Sequence, residues 1–181
     1  ISVDDGAKVE VPLAKYLRVQ AAQEGNHVVS IIFKGAVEIQ HRWYSPLIGK
    51  VTFCGYEADG AGVLPADDRK IIEFIGDSIT EGVLVDAEYD PGNLDQPNRV
   101  YQDDVTATYA YLTAENLDLK PIIIGYGAVG LTRAGNASVP PAEQMYPYCY
   151  HGAPALCGAA DYIVINHGTN DSREPAAVYI H

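Results

Sequence analysis

Three short, strongly apolar runs, each followed by glycine and polar residues, constrain the fold of this chain more than any other feature. They occupy residues 71–75, 122–124 and 161–166. Strands of a parallel sheet that helices cover on both faces are typically continuous apolar runs of this kind. The runs are separated by segments with helical character. The sequence therefore predicts alternating strands and helices around a parallel sheet.

The clearest helix signal lies between the first two runs. Asp103 and Asp104 are suitable N-cap residues, and Val105, Tyr109 and Leu112 follow at helical spacing. The pattern predicts an amphipathic helix that begins just after Asp104.

The chain before residue 60 has a different pattern. Apolar and polar residues alternate with period 2, most clearly at residues 37–43, which is typical of half-buried strands. The predicted short strands span residues 15–22, 27–33, 37–43 and 50–56. A small β-sandwich, or part of one, is expected over residues 1–62, followed after a linker of small residues by an α/β domain over residues 63–181.

Charge and composition exclude several classes of partner. Lysine and arginine total 12 against 24 acidic residues, which gives a net charge of −12. A chain this acidic repels nucleic acid and anionic lipid surfaces, so neither nucleic acid nor membrane is expected as a partner. No apolar run approaches the roughly 20 residues of a membrane helix.

The three cysteines, Cys54, Cys149 and Cys157, have no zinc-site or CxxC spacing. Two alternatives stay open. Cys149 and Cys157 pair as a disulfide if the protein is secreted, or all three are free thiols.

Polar residues follow each predicted strand, at the edge where open parallel sheets bind their ligands. The three segments are Gly-Asp-Ser at 76–78, a glycine-rich loop at 125–130 and Gly-Thr-Asn-Asp at 168–171. A serine at a strand-to-helix turn presents its hydroxyl outward, and its N–H lies where negative charge is favoured. Ser78 is the candidate nucleophile. A glycine N–H and the Asn170 amide are candidates for completing an oxyanion hole.

These motifs resemble a known family. "GDSIT" at residues 76–80, the loop ending at Gly130 and "GTND" at 168–171 are similar to three blocks of the GDSL or SGNH hydrolases, serine esterases. The resemblance covers roughly residues 70–181 and implies a flavodoxin-like three-layer α/β/α sandwich. It also implies that Ser78 is the nucleophile and that the N–H groups of Ser78 and Gly130 and the side chain of Asn170 bind the oxyanion. No metal or organic cofactor is expected.

The β-rich stretch before the linker resembles the jelly-roll domain that precedes the hydrolase domain in carbohydrate esterase family 2. This resemblance implies an acyl-enzyme esterase that removes acetyl groups from poly- or oligosaccharides and is extracellular or periplasmic. A second class of function stays open, in which a degenerate hydrolase scaffold binds glycan without catalysis. The sequence does not predict an oligomeric state.

The chain departs from the family at the general base. The family takes its base from a late Asp-x-x-His block, and no Asp-x-x-His occurs in the 181 residues. A serine without a base is a weak nucleophile, so the chain as given is expected to be catalytically impaired, with an incomplete sheet and an exposed apolar edge. Either the chain is a piece of a longer enzyme, or His151, His167 or His181 replaces the base.

Each candidate residue also has a structural alternative. Ser78 is otherwise a helix N-cap, and Asn170 is otherwise a turn residue. Asp77 is expected to hold its turn through backbone hydrogen bonds, and Asp171 is expected to be structural. Trp43 either stacks on a sugar ring or packs in the core, and the core is favoured.

The loop at 125–130, "GYGAVG", is also a literal GxGxxG, a pattern that in the right setting binds a dinucleotide. Three observations count against that function. No acidic residue lies about 20 residues further on to hold a ribose. Pro140 and Pro141 interrupt any long following helix, and too little chain remains for a second nucleotide-binding half.

Overall fold

The computed structural model of the protein describes residues 1–86, 99–155 and 160–171. The chain divides into two compact units. The first comprises Ile1–Phe33 and Tyr56–Ala66, and the second comprises Lys34–Gly55 and Asp67–His181. Residues 34–55, which the sequence placed with the N-terminal β domain, are thus part of the unit that carries the sheet.

The first unit contains one short strand pair. Strands β1 (Ser2–Val3) and β2 (Val29–Ser30) are antiparallel. The Asp4 carboxylate supports the pair, because its Oδ1 accepts the Val28 N–H at 2.9 Å. The predicted β-sandwich is not confirmed, and residues 15–22 are not a strand. Leu13 and Tyr16 are 70% and 82% exposed, so the alternating side chains here have no partner surface to bury them.

Residues 37–43 and 50–56 are not strands either. The chain turns instead, with the Gln40 N–H donating to the Val37 carbonyl at 3.1 Å and the Ile48 N–H donating to the His41 carbonyl at 2.8 Å. Burial does not follow the alternation: Trp43 enters the core of the second unit and is 2% exposed, whereas Ile39 is 62% exposed. The structure confirms Trp43 as a core residue.

A three-stranded parallel sheet forms the centre of the second unit. Its strands are β3 (Ile71–Gly76), β4 (Lys120–Gly125) and β7 (Tyr162–Asn166), in the order β4-β3-β7. Gly76 is level with Gly125 on one side and with Asn166 on the other. All three strands therefore end at the same edge, which confirms the predicted parallel sheet.

Short helices connect the strands. The α-helices are α1 (Ser78–Glu81), α2 (Tyr109–Asn116) and α3 (Ala142–Met145). A hairpin of β5 (Tyr148–Tyr150) and β6 (Ala153–Pro154) follows α3. Single 3₁₀ turns occupy Arg99–Gln102, Val105–Ala107, Asn136–Ser138 and Thr169–Asp171.

The helix predicted after Asp104 is divided in two. Asp104 caps only the 3₁₀ turn, by accepting the Thr106 N–H at 2.7 Å. Thr108 then adopts an extended conformation and caps α2, because its Oγ1 accepts the Tyr111 N–H at 3.2 Å. A second capping residue inside the amphipathic pattern starts a new helix.

Side chains of β3 alternate between two apolar clusters, one on each face of the sheet. Ile72 and Phe74 pack with Ala110 and Ala114 of α2. On the other face Ile75 packs with buried residues before β3 and after β4, namely Trp43, Val129, Val139, Ala142 and Met145. The central strand is therefore covered on both faces.

Strand β7 is less well covered. Ile163 and Ile165 are 53% and 65% exposed.

No helix in the described part of the chain is long and apolar enough to cross a membrane. Cys157 and His181 lie outside the described residues, so the Cys149–Cys157 pairing stays a prediction.

Candidate active site

The turn from β3 into α1 places Ser78 at the edge where the three strands end. Asp77 is the N-cap of α1, and its Oδ1 accepts the Ile79 N–H at 3.0 Å. Its carbonyl also accepts the N–H groups of Thr80 and Glu81. Asp77 therefore holds the turn, as predicted. The alternative that Ser78 is itself the N-cap is wrong, because Ser78 is the first residue of the helix.

No other described residue uses the hydroxyl or the N–H of Ser78 in a hydrogen bond. Its side chain does not cap the helix, and the described residues offer no hydrogen-bond partner to its hydroxyl or its N–H. The residue is half-buried. A serine nucleophile uses these same two groups, the hydroxyl oxygen to attack and the backbone N–H to donate to an oxyanion.

Asn170 lies in the 3₁₀ turn after β7 and connects all three strand ends. Its Nδ2 donates to Asp77 Oδ2 at 3.1 Å and to the Val129 carbonyl at 3.0 Å. The topology thus brings Ser78, Asn170 and the loop before Gly130 together, as the sequence predicted. The Asn170 amide has two hydrogens, and this structure offers it two acceptors.

Gly130 is held in a tight turn. Its N–H donates to the Arg133 carbonyl at 2.9 Å. A side chain at this position would overlap the Asp171 carboxylate. Of the three expected oxyanion donors, only the Ser78 N–H is without an acceptor among the described residues.

Asp171 is buried and accepts backbone hydrogens from the same loop. Its carboxylate accepts the Leu131 N–H at 2.6 Å and the Thr132 N–H at 3.1 Å. This arrangement fits the structural role expected for it. The loop between β4 and these residues includes Ala128 at φ 62°, a left-handed conformation that a residue with a Cβ adopts at some cost.

The glycines of the GxGxxG pattern are also explained by packing. A side chain at Gly127 would overlap Glu38, and one at Gly125 would lie against the backbone of Glu81. Protein groups fill the space next to these glycines, which gives them a reason for being glycine that involves no nucleotide.

A buried ion pair, which no sequence pattern predicted, lies at the end of α1. The Arg42 guanidinium donates to both oxygens of Glu81, and the two side chains are 11% and 8% exposed. Burial raises the pKa of Glu81, and the hydrogen bond from Arg42 opposes this. Arg42 also lies over the Tyr126 ring at 5.3 Å. No motif marks these residues, which are far apart in the sequence.

Two of the histidines proposed to replace the base, His151 and His167, lie in the described residues. Neither forms a hydrogen bond to Ser78. The His167 Nδ1 lies 3.2 Å from the Val129 carbonyl. His151 lies against Tyr44, with 4.9 Å between ring centroids. His181 is outside the described residues. No group of three or more His, Cys, Asp or Glu that could hold a metal ion occurs in the part of the chain that the structure describes.

A curated protein is similar to this chain in sequence. No protein-family model matches the chain. The chain is 33% identical over 137 residues to the cellulase/esterase CelE of Acetivibrio thermocellus, a match that covers 68% of this chain and 16% of that protein. The chain thus spans about a sixth of the length of this curated relative.

Solved structures show the same relationship. A Corynascus thermopiles (Myceliophthora fergusii) carbohydrate esterase family 2 enzyme with a carbohydrate binding domain matches with a TM-score of 0.50 and 27% identity, over 62% of this chain and 36% of that one. An acetyl xylan esterase from the rumen bacterium Butyrivibrio proteoclasticus matches with a TM-score of 0.50 and 24% identity, over 63% and 33%, and shows the fold alone. The chain is therefore similar to the carbohydrate esterases of family 2, which confirms the second resemblance, the one drawn from strand pattern and domain order.

Proposed function

We propose that the protein is a serine esterase that removes acetyl or similar short acyl groups from carbohydrate. The position of Ser78 carries this proposal. Ser78 follows the central strand of the sheet, and its hydroxyl and N–H have no hydrogen-bond partner among the described residues. The neighbouring residue, Asp77, accepts a hydrogen bond from the Asn170 side chain. The similarity to a cellulase/esterase and to a family 2 carbohydrate esterase supports the same chemistry.

In the proposed reaction, Ser78 Oγ attacks the acyl carbonyl carbon while a general base takes the hydroxyl proton. The tetrahedral oxyanion then collapses, the bond to the sugar oxygen breaks, and that oxygen receives the proton. Water attacks the resulting acyl-serine in the same way and releases the acid, which restores the Ser78 hydroxyl.

The N–H groups of Ser78 and Gly130 and the side chain of Asn170 are the proposed oxyanion donors. Ser78 is ready for this role, whereas Gly130 donates to Arg133 and Asn170 donates to Asp77 and Val129. Catalytic hydrogen bonds are often formed only once substrate is bound. We infer that the Gly130 N–H and the Asn170 amide turn to the oxyanion when it develops. Each either leaves its present acceptor or donates to that acceptor and the oxyanion together.

The general base is proposed to come from outside the described residues. His167 and His151 are engaged with Val129 and Tyr44, and neither contacts Ser78. The substrate is proposed to be an acetylated poly- or oligosaccharide, encountered in an extracellular or periplasmic location.

The test is acetate release from acetylated xylan and from 4-nitrophenyl acetate by the complete native protein. Ser78→Ala should lower kcat by about 10³-fold or more, and Asn170→Ala by about 10²-fold. Ser45→Ala, which changes an exposed serine of the same unit, should be as active as the parent.

Two results would contradict the proposal. One is a complete protein that hydrolyses neither ester, and the other is a Ser78→Ala variant as active as the parent. Glycan binding that survives Ser78→Ala, in a protein without hydrolysis, would favour the non-catalytic alternative.

A further inference from the structure

Helix α1, which begins at Ser78, is too short to be stable by its own hydrogen bonds. It has four residues, far fewer than an isolated helix needs in water, so contacts with the rest of the second unit must fix its position. Glu81 supplies one contact through its ion pair with Arg42. Thr80 is the one fully buried residue of α1. The placement of α1 therefore depends on what the Thr80 side chain contacts.

The Thr80 hydroxyl is hydrogen-bonded to the Tyr109 hydroxyl, with 2.9 Å between the two oxygens. Tyr109 is the first residue of α2, and its ring packs edge-on against Phe74 of β3, with 5.8 Å between ring centroids. The central strand thus holds the ring, and the ring holds its hydroxyl at a fixed point beside α1. Because Thr80 is buried, losing this bond would leave its hydroxyl without water to replace the partner.

Thr80 is also tied to the turn that carries Ser78. A side chain at Gly76 would overlap the Thr80 hydroxyl, so Thr80 packs directly on the end of β3. The Thr80 N–H donates to the Asp77 carbonyl at 3.1 Å. That carbonyl belongs to the same planar trans peptide as the Ser78 N–H, which points the opposite way, out of α1. A displacement of Thr80 therefore tilts the peptide that carries a proposed oxyanion donor.

We propose that Tyr109 is a positioning residue, which holds α1 through its hydrogen bond to Thr80 and so keeps the Ser78 hydroxyl and N–H in the geometry that acyl transfer requires. This inference rests on the proposed function. The Tyr109 hydroxyl bonds to Thr80 and not to Ser78, so Tyr109 acts through α1 and not on the substrate.

The test uses variants of the complete native protein. Tyr109→Phe removes one hydroxyl of the pair and keeps the ring, and Thr80→Val removes the other and keeps the shape of the side chain. We expect each to lower kcat by about tenfold and to change KM by less than about twofold, because a misplaced nucleophile affects the reacting geometry more than glycan binding. The double variant should be about as slow as either single variant, since both changes remove the same bond.

Two control variants separate positioning from a general loss of stability. Thr80→Ser keeps the hydroxyl and removes a buried methyl group, and Ala114→Gly weakens α2 at a buried position away from the Tyr109 hydroxyl. Both should lower the midpoint of urea denaturation and keep kcat within about threefold of the parent. A merely structural role for Tyr109 would make Tyr109→Phe behave like these controls.

A second readout does not depend on activity. The Glu81 and Gly82 N–H groups donate to the Asp77 and Ser78 carbonyls, so their hydrogen exchange reports the local opening of α1. We expect these two amides to exchange about tenfold faster in Tyr109→Phe than in the parent and at the parent's rate in Thr80→Ser. If the parent hydrolyses no ester, the proposed function fails, and the exchange rates still show whether Tyr109 holds α1.

Several outcomes would overturn the inference. They are a Tyr109→Phe variant with the kcat of the parent, a Thr80→Ser variant as slow as Thr80→Val, and unchanged exchange of the α1 amides in Tyr109→Phe. A double variant far slower than either single variant would also contradict it. If Thr80→Val does not fold, Tyr109→Phe and its exchange rates are sufficient for the test.

Discussion

Asp77 and Asp171 are 1% and 3% exposed, and both accept hydrogen bonds from backbone N–H groups. Such carboxylates stabilise the loops that they cap. Their positions next to Ser78 and Gly130 explain why the motifs contain aspartate at points where no acid is needed for the proposed chemistry.

Gly130 is predicted to tolerate no side chain. In Gly130→Ala, the added methyl group would overlap the buried Asp171 carboxylate, so we expect the free energy of unfolding to fall by about 1–3 kcal/mol. Gly60→Ala is the matched control, because a Cβ there meets nothing within 4 Å. Urea denaturation of the two variants measures the difference. Equal stability would contradict the close approach of Asp171.

Glu73 is a buried acidic residue in the middle of β3, at 1% exposure. Tyr146 donates to its Oε2 at 3.3 Å, and its Oε1 has no hydrogen-bond partner among the described residues. Replacing a buried polar side chain that lacks some of its hydrogen bonds by an apolar residue of similar volume is often neutral or stabilising.

We therefore expect Glu73→Met to raise the free energy of unfolding by about 1 kcal/mol, and Glu73→Gln, which keeps the buried polar atoms, to give no such gain. Urea denaturation at neutral pH measures both. A loss of more than about 1 kcal/mol in Glu73→Met would mean that Oε1 has a partner outside the described residues.

At the scale of elements, the Arg42–Glu81 pair joins α1 to the segment before β3. Burial raises the pKa of Glu81 above its ordinary value, and Arg42 lowers it by a smaller amount. A carboxyl group whose pKa is higher in the folded state than in the unfolded state stabilises the folded state at low pH. The contribution is complete at pH values below the pKa of the unfolded state, which is about 4.3. That contribution is lost as the pH rises through the folded pKa.

Between pH 4 and pH 7 the parent should therefore lose stability relative to Glu81→Gln, which has no such titration. Arg42→Met removes the interaction that lowers the pKa of Glu81. The Arg42→Met variant should therefore lose more stability than the parent over the same pH range. Urea denaturation at several pH values measures both. A parent that gains stability over Glu81→Gln with rising pH would show that the ion pair outweighs burial.

The elements also show what sequence patterns can predict. The three parallel strands were predicted correctly because each contains a continuous apolar run, as parallel strands typically do, although Ile163 and Ile165 of β7 are exposed. Residues 37–43 were predicted wrongly, because the period-2 pattern there does not match burial: Trp43 is buried and Ile39 is 62% exposed. The division of the helix at Thr108 depends on one local hydrogen bond.

For the whole molecule, topology explains why the site could be predicted in outline. Level strand ends bring residues 76–78, 125–130 and 168–171 to one edge, so motifs far apart in sequence meet. The present acceptors of Gly130 and Asn170 could not be predicted. They depend on a loop with Ala128 at φ 62°, and no sequence pattern specifies that conformation.

The similarity to family 2 carbohydrate esterases extends over part of each relative, 16% of the cellulase/esterase and 36% of the solved family 2 enzyme. We propose that esterase activity depends on Ser78, and this role can be tested without knowing the natural glycan.

The most direct measurement is the intact mass of the complete native protein before and after reaction with a fluorophosphonate probe, which reacts with activated serines. We expect one probe per chain in the parent and in Ser45→Ala, and none in Ser78→Ala. An unlabelled parent would contradict the claim that Ser78 is an activated nucleophile, and so would a Ser78→Ala variant that still takes up one probe.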